Sequence, residues 1–455
     1  MTTGGALGSA RPVPAAADLW PAPRADGPVT GSVAVPGSKS VTNRALVIAA
    51  LAEGDSRLRR PLVARDTRLM AGGLRALGID VREGSDGGWD SEWLVRGCPG
   101  PLQPRGDLVD VGNAGTVARF LPPVAALGTG PVRFDGDPRV RERPVGPLLA
   151  ALRALGARVD DGGRGALPVT VTGDGRPPRG GAVALDASSS SQLISGLLLI
   201  GPRCATGVDV RHAGAAPPPS APHLAMTVAM LRAAGAQVDD GEPGRWRVAP
   251  GRLAARDTDV EPDLSSAAPF LAAAAVTGGT VTVEGWPAAT TQPGAALPGL
   301  LAAMGATYAL DDRGLALTGP DRLTGLDADL HGAGELAPVL AAVCALAATP
   351  SRLAGIAHLR AHETDRLAAL ARGLTALGGD VTETDDGLAV RPRPLAGGTF
   401  RTYDDHRLAM AAAVLGLVVP GVLVEDVATT AKTLPGFAGQ WAALVAGAVA
   451  PGGAG

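Results

Sequence analysis

Two residues of this 455-residue chain stand apart by type: of its 41 basic side chains only Lys39 and Lys432 are lysine, the rest arginine. A solvated positive charge can be either residue. An ammonium, however, is compact, rotatable and able to exchange a proton, as a guanidinium is not. Lysine kept at two positions therefore points to proton-exchange chemistry there, with coding bias as the competing explanation. Their neighbourhoods decide between the two.

Lys39 lies in "PGSKSVTNRALVIAAL", a turn leading into an apolar helix. The free N–H groups of a helix start favour anions, and Lys39, Ser40 and Arg44 add an ammonium, a hydroxyl and a fork of donors to the same end. No spaced glycine precedes Lys39, so a Walker A loop is excluded. In "DASSSSQLISGLLLIG", the serine run could be a linker, but Ser190, Ser191 and Gln192 lead at once into a second apolar helix, which favours a phosphate-binding start. "DVGNAGTVARF" sets Asn113 between Gly112 and Gly115, letting backbone approach a ligand closely; a plain turn explains it equally well. "DGDPRVRERPVG" packs Arg139, Arg141 and Arg143 between two prolines, suiting a multiply charged small anion or, alternatively, a solvated charge run.

Further on, "IAHLRAHETDRLAAL" spaces His358 and His362 as metal ligands can be spaced, but no third ligand accompanies them, and no metal is expected. Glu363, Asp365 and Arg366 read better as an acid with a polar clamp. "YDDHRLAMAAAVLGL" puts Arg407 at another apolar helix start, and "ATTAKTLPGF" puts Lys432 in a short polar segment before Pro435.

The elements that must position these residues repeat along the chain. An apolar helical stretch, a glycine and a short strand recur around Gly78, Gly156, Gly235, Gly305 and Gly378, each glycine marking a helix C-cap. Turn signals follow at Asp86-Gly87, Asp161-Gly162, Asp240-Gly241 and Asp386-Gly387. The spacing exceeds the roughly 20–50 residues of a solenoid repeat and suits an α/β module of about four strands and two helices. A sixth copy ends in "FAGQWAALVAGAVA", its closing strand missing or supplied by "PVTGSVAVPGS" near the N-terminus. Six modules divide into two domains of three, with a crossing at "DVEPDLSSAAPF". The expected boundaries are a disordered Pro/Ala-rich tail over 1–26, one domain over 27–39 plus 263–448 that holds both termini, and an inserted domain over 40–262.

Bulk composition narrows the function classes. A formal net charge of -3 gives no reason to expect nucleic acid or anionic membrane as a partner. Three scattered cysteines and the absence of a signal-peptide pattern fit a reducing cytoplasm. No apolar run is long enough to span a bilayer. Aromatics make up 3% of the chain, so the core must be built from Ala, Leu and Val.

Taken in order, the strings GSKSxxNR, GNAGT, ERPxG, SSQ, HETDR, DHRxAM and AKTxP closely resemble the 5-enolpyruvylshikimate-3-phosphate synthase family of enolpyruvyl transferases, from about Pro28 to Ala442. The resemblance implies two domains of three βαβαββ-type modules with the active site in the cleft between them. It also implies transfer of the enolpyruvyl group of phosphoenolpyruvate to the 5-hydroxyl of shikimate 3-phosphate, in a monomer without metal or other cofactor. By motif, Lys39, Ser40, Arg44, Ser190, Ser191, Gln192, Ser220, Glu335 and His362 fall on the shikimate 3-phosphate contacts. Lys39, Asn113, Gly115, Arg143, Gln192, Arg366, Arg407 and Lys432 fall on the phosphoenolpyruvate clamp. Glu335 takes the place of the base and Glu363 that of the proton donor, with Lys39 and Lys432 assisting. Family members are typically blocked by glyphosate, for which Gly115 leaves room. This chain departs from the common pattern at Glu335, where many members have Asp, at His358 and His362, where many have Asn and Lys, and at Phe120, where Pro is common. Two rival readings remain: the sister transferase acting on UDP-N-acetylglucosamine, whose customary loop cysteine is absent from Asp135–Arg143, and a non-catalytic anion-binding repeat protein.

Overall fold

The computed structural model describes residues 19–84 and 91–447; the expected Asp86-Gly87 turn falls outside them. Among the described residues there are six sheets, five of four strands and one of three. The unit that begins at Leu108–Asp110 shows the shared plan without interruption. Helix Gly115–Ala125 leads to the parallel strand Thr129–Asp135, and helix Gly146–Ala154 to the antiparallel strands Arg158–Asp160 and Val169–Asp174. A parallel pair needs a crossover, which the first helix supplies. In five units the second helix ends on Gly78, Gly156, Gly235, Gly305 or Gly378, all with φ between 91° and 110°, the left-handed cap that lets the chain double back into strand.

The two helices of a unit differ. Second helices are amphipathic: Arg65–Ala76 buries Met70 and Leu74 and exposes Arg68. First helices are almost wholly buried and, past their polar starts, apolar all round, which suits the centre of a core rather than its surface. Lys39–Leu51, Gly115–Ala125 and Gln192–Ile200 pack together in one core; Ala268–Thr277, Ala337–Ala345 and His406–Val418 pack in the other. Runs of alanine (272–275, 341–342, 411–413) let the second trio approach closely without aromatic filling. The inserted core gathers residues from Ala45 to Leu253, and the terminal core gathers Val29, Val33 and Val35 with Leu264 through Leu444. No described helix is long and apolar enough to cross a membrane.

The chain passes between the cores twice, and the two passes lie side by side. Gly37 bridges Pro262 antiparallel, Ser38 N donates to Glu261 O (2.7 Å) and Asp263 N to Pro36 O (2.9 Å). A Cβ on Gly37 would sit 2.1 Å from Arg60 O, so only glycine fits this crossing.

Two expectations about the N-terminus are corrected. Residues 1–18 lie outside the described part, but 19–26 of the expected tail are structured. Leu19–Pro21 pairs antiparallel with Val422–Glu425, Ala22 N and Ala25 N donate to Val422 O and Leu417 O at 3.0 Å, and the Trp20 ring lies 6.5 Å from that of Phe437. This strand closes the sixth unit. Gly31–Val33, within "PVTGSVAVPGS", instead pairs in parallel with Thr280–Glu284 and opens a different unit. The apolar pair Leu19 and Trp20 supplies burial that the average composition of the segment conceals.

Candidate functional site

The starts of the buried first helices carry the chemistry. Each leaves unpaired N–H groups and a partial positive charge at its first turn. The predicted side chains sit there: Lys39, Gly115, Gln192 and, one residue inside its helix, Arg407. Glu335 lies in the 3-10 turn Gly334–Leu336 that feeds Ala337–Ala345.

The two lysines, nearly four hundred residues apart in sequence, converge on a single oxygen. Asp66 Oδ2 lies 3.5 Å from Lys39 Nζ and 3.9 Å from Lys432 Nζ. Lys39 is further fixed by its own N–H, which donates to Asp263 Oδ2 (3.0 Å) at the crossing. Lys432 Nζ also donates to Glu363 Oε1 (3.1 Å) and Asn113 O (3.5 Å).

On one side of the lysines Ser40, His223 and Glu335 form a contiguous group. His223 Nε2 is 3.3 Å from Ser40 Oγ and 4.0 Å from Glu335 Oε1. Glu335 Oε2 accepts from Ser265 Oγ and Arg407 Nη2, both at 2.9 Å, and its carbonyl accepts from Arg407 Nη1 (3.1 Å). Burial works against its charge, but Arg407, Lys39 and the Ser265 hydrogen bond outweigh it and hold the carboxyl well below the usual range. Burial pushes His223 down to about 4, Glu335 only partly offsetting it, so the ring is neutral. Ser190 Oγ accepts from Gln192 N (3.3 Å). Ser191 is buried beside it, and Gln192 Oε1 is buried without a hydrogen-bond partner. Ser220, held at φ 54°, donates its N–H to His331 O (2.9 Å) across the cores.

Arg44 sits deeper than its motif implies. It donates to Thr227 Oγ1, Ser195 Oγ, His223 O and Ser40 O. Of five guanidinium hydrogens that leaves one on Nη1 for a ligand. It acts chiefly as a strut behind Ser40.

On the other side Gly115 is flanked by two guanidinium groups. A Cβ there would lie 2.7 Å from Arg143 Nη2 and 2.9 Å from Arg119 Nη1. Arg143 holds Asn113 through O (2.9 Å) and Oδ1 (3.3 Å), and Arg119 donates to Gly115 O and Pro144 O, both at 3.2 Å. The Nε atoms of both are buried without partners, and among the described residues neither arginine has a carboxylate ion pair. Burial, then Arg143, lowers Arg119 to about 9. Two buried cations without a directly paired carboxylate make a site for an anion. Glu363 and Arg366 line the same space. Arg366 donates to Glu363 Oε2 (2.8 Å) and Asp405 Oδ2 (2.7 Å), and its Nη1 lies 3.2 Å from His362 Nδ1. Burial opposes the Glu363 charge, yet Lys432, Arg366 and Arg143 keep it well below the ordinary carboxylate value. Both His406 nitrogens are buried without a hydrogen-bond partner, Nδ1 lying 3.8 Å from Asp405 Oδ1, and burial keeps that ring neutral.

The three arginines of "DGDPRVRERPVG" do not converge. Arg141 pairs outward with Asp135 (2.9 Å). Arg139 reaches across the cleft to His362 O (3.2 Å). Only Arg143 turns inward, because the 3-10 helix Pro138–Glu142 ends on it. His358 and His362 do not share a helix face: His362 follows the 3-10 turn in extended backbone, and the rings meet edge-on at 5.7 Å. His331 lies 6.1 Å beyond His358.

These cross-core contacts close the cleft around the charged groups. A cavity of about 1450 Å³ remains between the cores, lined among others by Arg65, Asp110, Asn113, Asp426 and Lys432. A separate cavity of about 520 Å³, lined by Val41, Ile48, Met226 and Met230, holds none of the predicted site residues. The sequence reading missed Asp66, His223, Ser265 and Asp405. Ser265 and Asp405 stand within strings already singled out for other reasons, while Asp66 and His223 carry no local signal.

The chain matches the family model described as EPSP synthase (3-phosphoshikimate 1-carboxyvinyltransferase) over residues 23–441. It is 54% identical to the 3-phosphoshikimate 1-carboxyvinyltransferase of Kocuria rhizophila over 431 residues, 94% of this chain and 97% of that protein. Two structures of EPSP synthase from Acinetobacter baumannii, each 26% identical, superpose with TM-scores of 0.77 and 0.76. The first covers 94% of this chain and 97% of the other, the second 92% and 96%.

Proposed function

Because the chain belongs to the EPSP synthase (3-phosphoshikimate 1-carboxyvinyltransferase) family, we propose how its side chains divide the work of joining phosphoenolpyruvate to the 5-hydroxyl of shikimate 3-phosphate. That transfer releases phosphate and serves aromatic amino-acid biosynthesis by the shikimate pathway. Lys39, Ser40, Arg44, Ser190, Ser191, Gln192, Ser220 and His362 hold the shikimate 3-phosphate, with Glu335 at its 5-hydroxyl. Asn113, Gly115, Arg143, Gln192, Arg366, Arg407, Lys39 and Lys432 hold phosphoenolpyruvate. The small soluble substrates support a cytoplasmic catalyst.

Glu335, ionised and bonded to Arg407, takes the hydroxyl proton while Glu363 gives a proton to the alkene carbon. The oxygen then bonds to the electron-poor carbon, giving a tetrahedral centre. Return of a methyl proton to Glu363 and departure of phosphate, which takes up the proton held by Glu335, restore the alkene and both carboxyl groups. Glu363 is ionised in the empty cleft, so it must be charged with a proton first. The donor's carboxylate and phosphate compensate Arg366, Arg143 and Lys432, and so raise its pKa. The observation that carries this reading is the 3.1 Å contact between Lys432 Nζ and Glu363 Oε1, which supplies the proton's path.

Phosphate release by Glu335→Gln and Glu363→Gln tests it. Each is expected to lose at least ~10² in kcat, the usual worth of a positioned acid or base, while both substrates still bind by calorimetry. Near-normal turnover in both variants would refute the assignment.

A further inference from the structure

Asp66 has no part in the steps above, yet it lies among them. It occupies the first turn of helix Arg65–Ala76, on the inserted core, and its side chain is 3% exposed. Its Oδ2 is within ion-pair distance of Lys39, at the crossing, and of Lys432, on the terminal core. The helix start eases the burial of its charge. A carboxylate in a pocket that must take a phosphate-bearing anion nevertheless repels that anion, so its presence lowers donor affinity.

We propose that Asp66 is a positioning residue that aims both ammonium groups at the reacting donor, at the expense of donor and phosphate binding. The Lys432 contact spans the two cores, so this aim is complete only when the cleft is closed. Lys432 then keeps one N–H on Glu363, and Lys39 is held beside it through the shared Asp66 oxygen. The inference rests on the reading that Lys39 and Lys432 serve the donor. A purely structural ion pair would behave differently: its loss would loosen the cleft and raise the donor KM.

The test is Asp66→Asn in the full chain, nearly isosteric but uncharged. The expected result is a fall in kcat of at least ~10-fold, since misplacing a reacting group by ~1 Å can cost ~10²-fold. The donor KM is unchanged or lower, and inorganic phosphate inhibits at least ~3-fold more tightly once the repulsion is gone. Asp66→Glu, which restores the charge, should recover part of kcat and weaken phosphate again. A kcat within about twofold of wild type, or a donor KM that rises in step with the loss of kcat, overturns the proposal. Acceptor binding by calorimetry reports folding separately, and Asp66→Ser is the second variant. If both neutral variants fail to fold, Asp66 is structural and the proposal falls. Absence of wild-type turnover would instead sink the assigned reaction.

Discussion

Replacing Lys432 by arginine keeps the charge and removes what only an amine offers. The three hydrogens of its ammonium face three acceptors: Glu363 Oε1 at 3.1 Å, Asn113 O at 3.5 Å and Asp66 Oδ2 at 3.9 Å. The side chain is 11% exposed, so a longer, planar guanidinium has little room to relax. It can keep Glu363 only by pressing on the Asn113 loop or abandoning Asp66, and overpacking of that kind costs ~1–3 kcal/mol. A guanidinium also cannot hand a proton to Glu363 at neutral pH, and loss of such transfer is worth ~10²-fold or more. At ~1.36 kcal/mol per decade, a 10²-fold loss is ~2.7 kcal/mol of barrier. We therefore expect Lys432→Arg to lower kcat at least ~10²-fold, with the donor KM moving less than ~10-fold because the charge remains. Steady-state phosphate release, with phosphoenolpyruvate varied at saturating shikimate 3-phosphate, separates the two constants. A kcat within ~3-fold of wild type would refute the requirement for an amine, and coding bias would then explain the lysine.

Gly115→Ala drives a methyl group against Arg143 and Arg119; donor KM should rise, and the inhibition constant for glyphosate should rise by a larger factor. Equal factors in paired inhibition assays would remove Gly115 from the wall of the inhibitor's space. Acid should unfold the substrate-free protein in two stages. Burial lowers His223 and His358 to about 4 from 6.5, so the unfolded chain takes their protons more readily, and their stabilising share, full above pH 6.5, is lost as pH falls toward 4. Glu335 and Glu363 are depressed below 4.5, so theirs is present above that value and lost only at lower pH. Between pH 7 and 5 the histidines alone should remove on the order of 3 kcal/mol, read as a lower urea midpoint at constant ionic strength; an unchanged midpoint would contradict their burial in neutral form.

What could be read in the chain beforehand followed from local chemistry. Helix starts announce themselves by a small polar residue before an apolar run, so Lys39 and Gln192 were legible as anion-binding positions. Gly78 and its counterparts announced where each second helix ends. Direction was not legible. Arg139, Arg141 and Arg143 are alike in type and neighbourhood, and only the short 3-10 turn sends the last inward and the others to His362 O and Asp135. Nor were partners joined only by the fold. Asp66 sits in "VARDTRLM", where nothing local requires an acid, and its meaning arises from lysines on two other segments. The strand Leu19–Pro21 was hidden by its proline- and alanine-rich surroundings, since three residues are too few to show alternation.

That strand and its neighbour also set an order of events during synthesis. Gly31–Val33 must await Thr280–Glu284, and Leu19–Pro21 must await Val422–Glu425. The inserted core, complete by the return strand Thr258–Asp259, can therefore assemble on the ribosome while these two earlier strands still have no sheet to join. An early, unpaired edge is a hazard for the nascent chain, since it offers backbone donors and acceptors to any passing strand. Both segments are only three residues long, and one ends in Pro21, so they present very little ladder until their proper partners emerge.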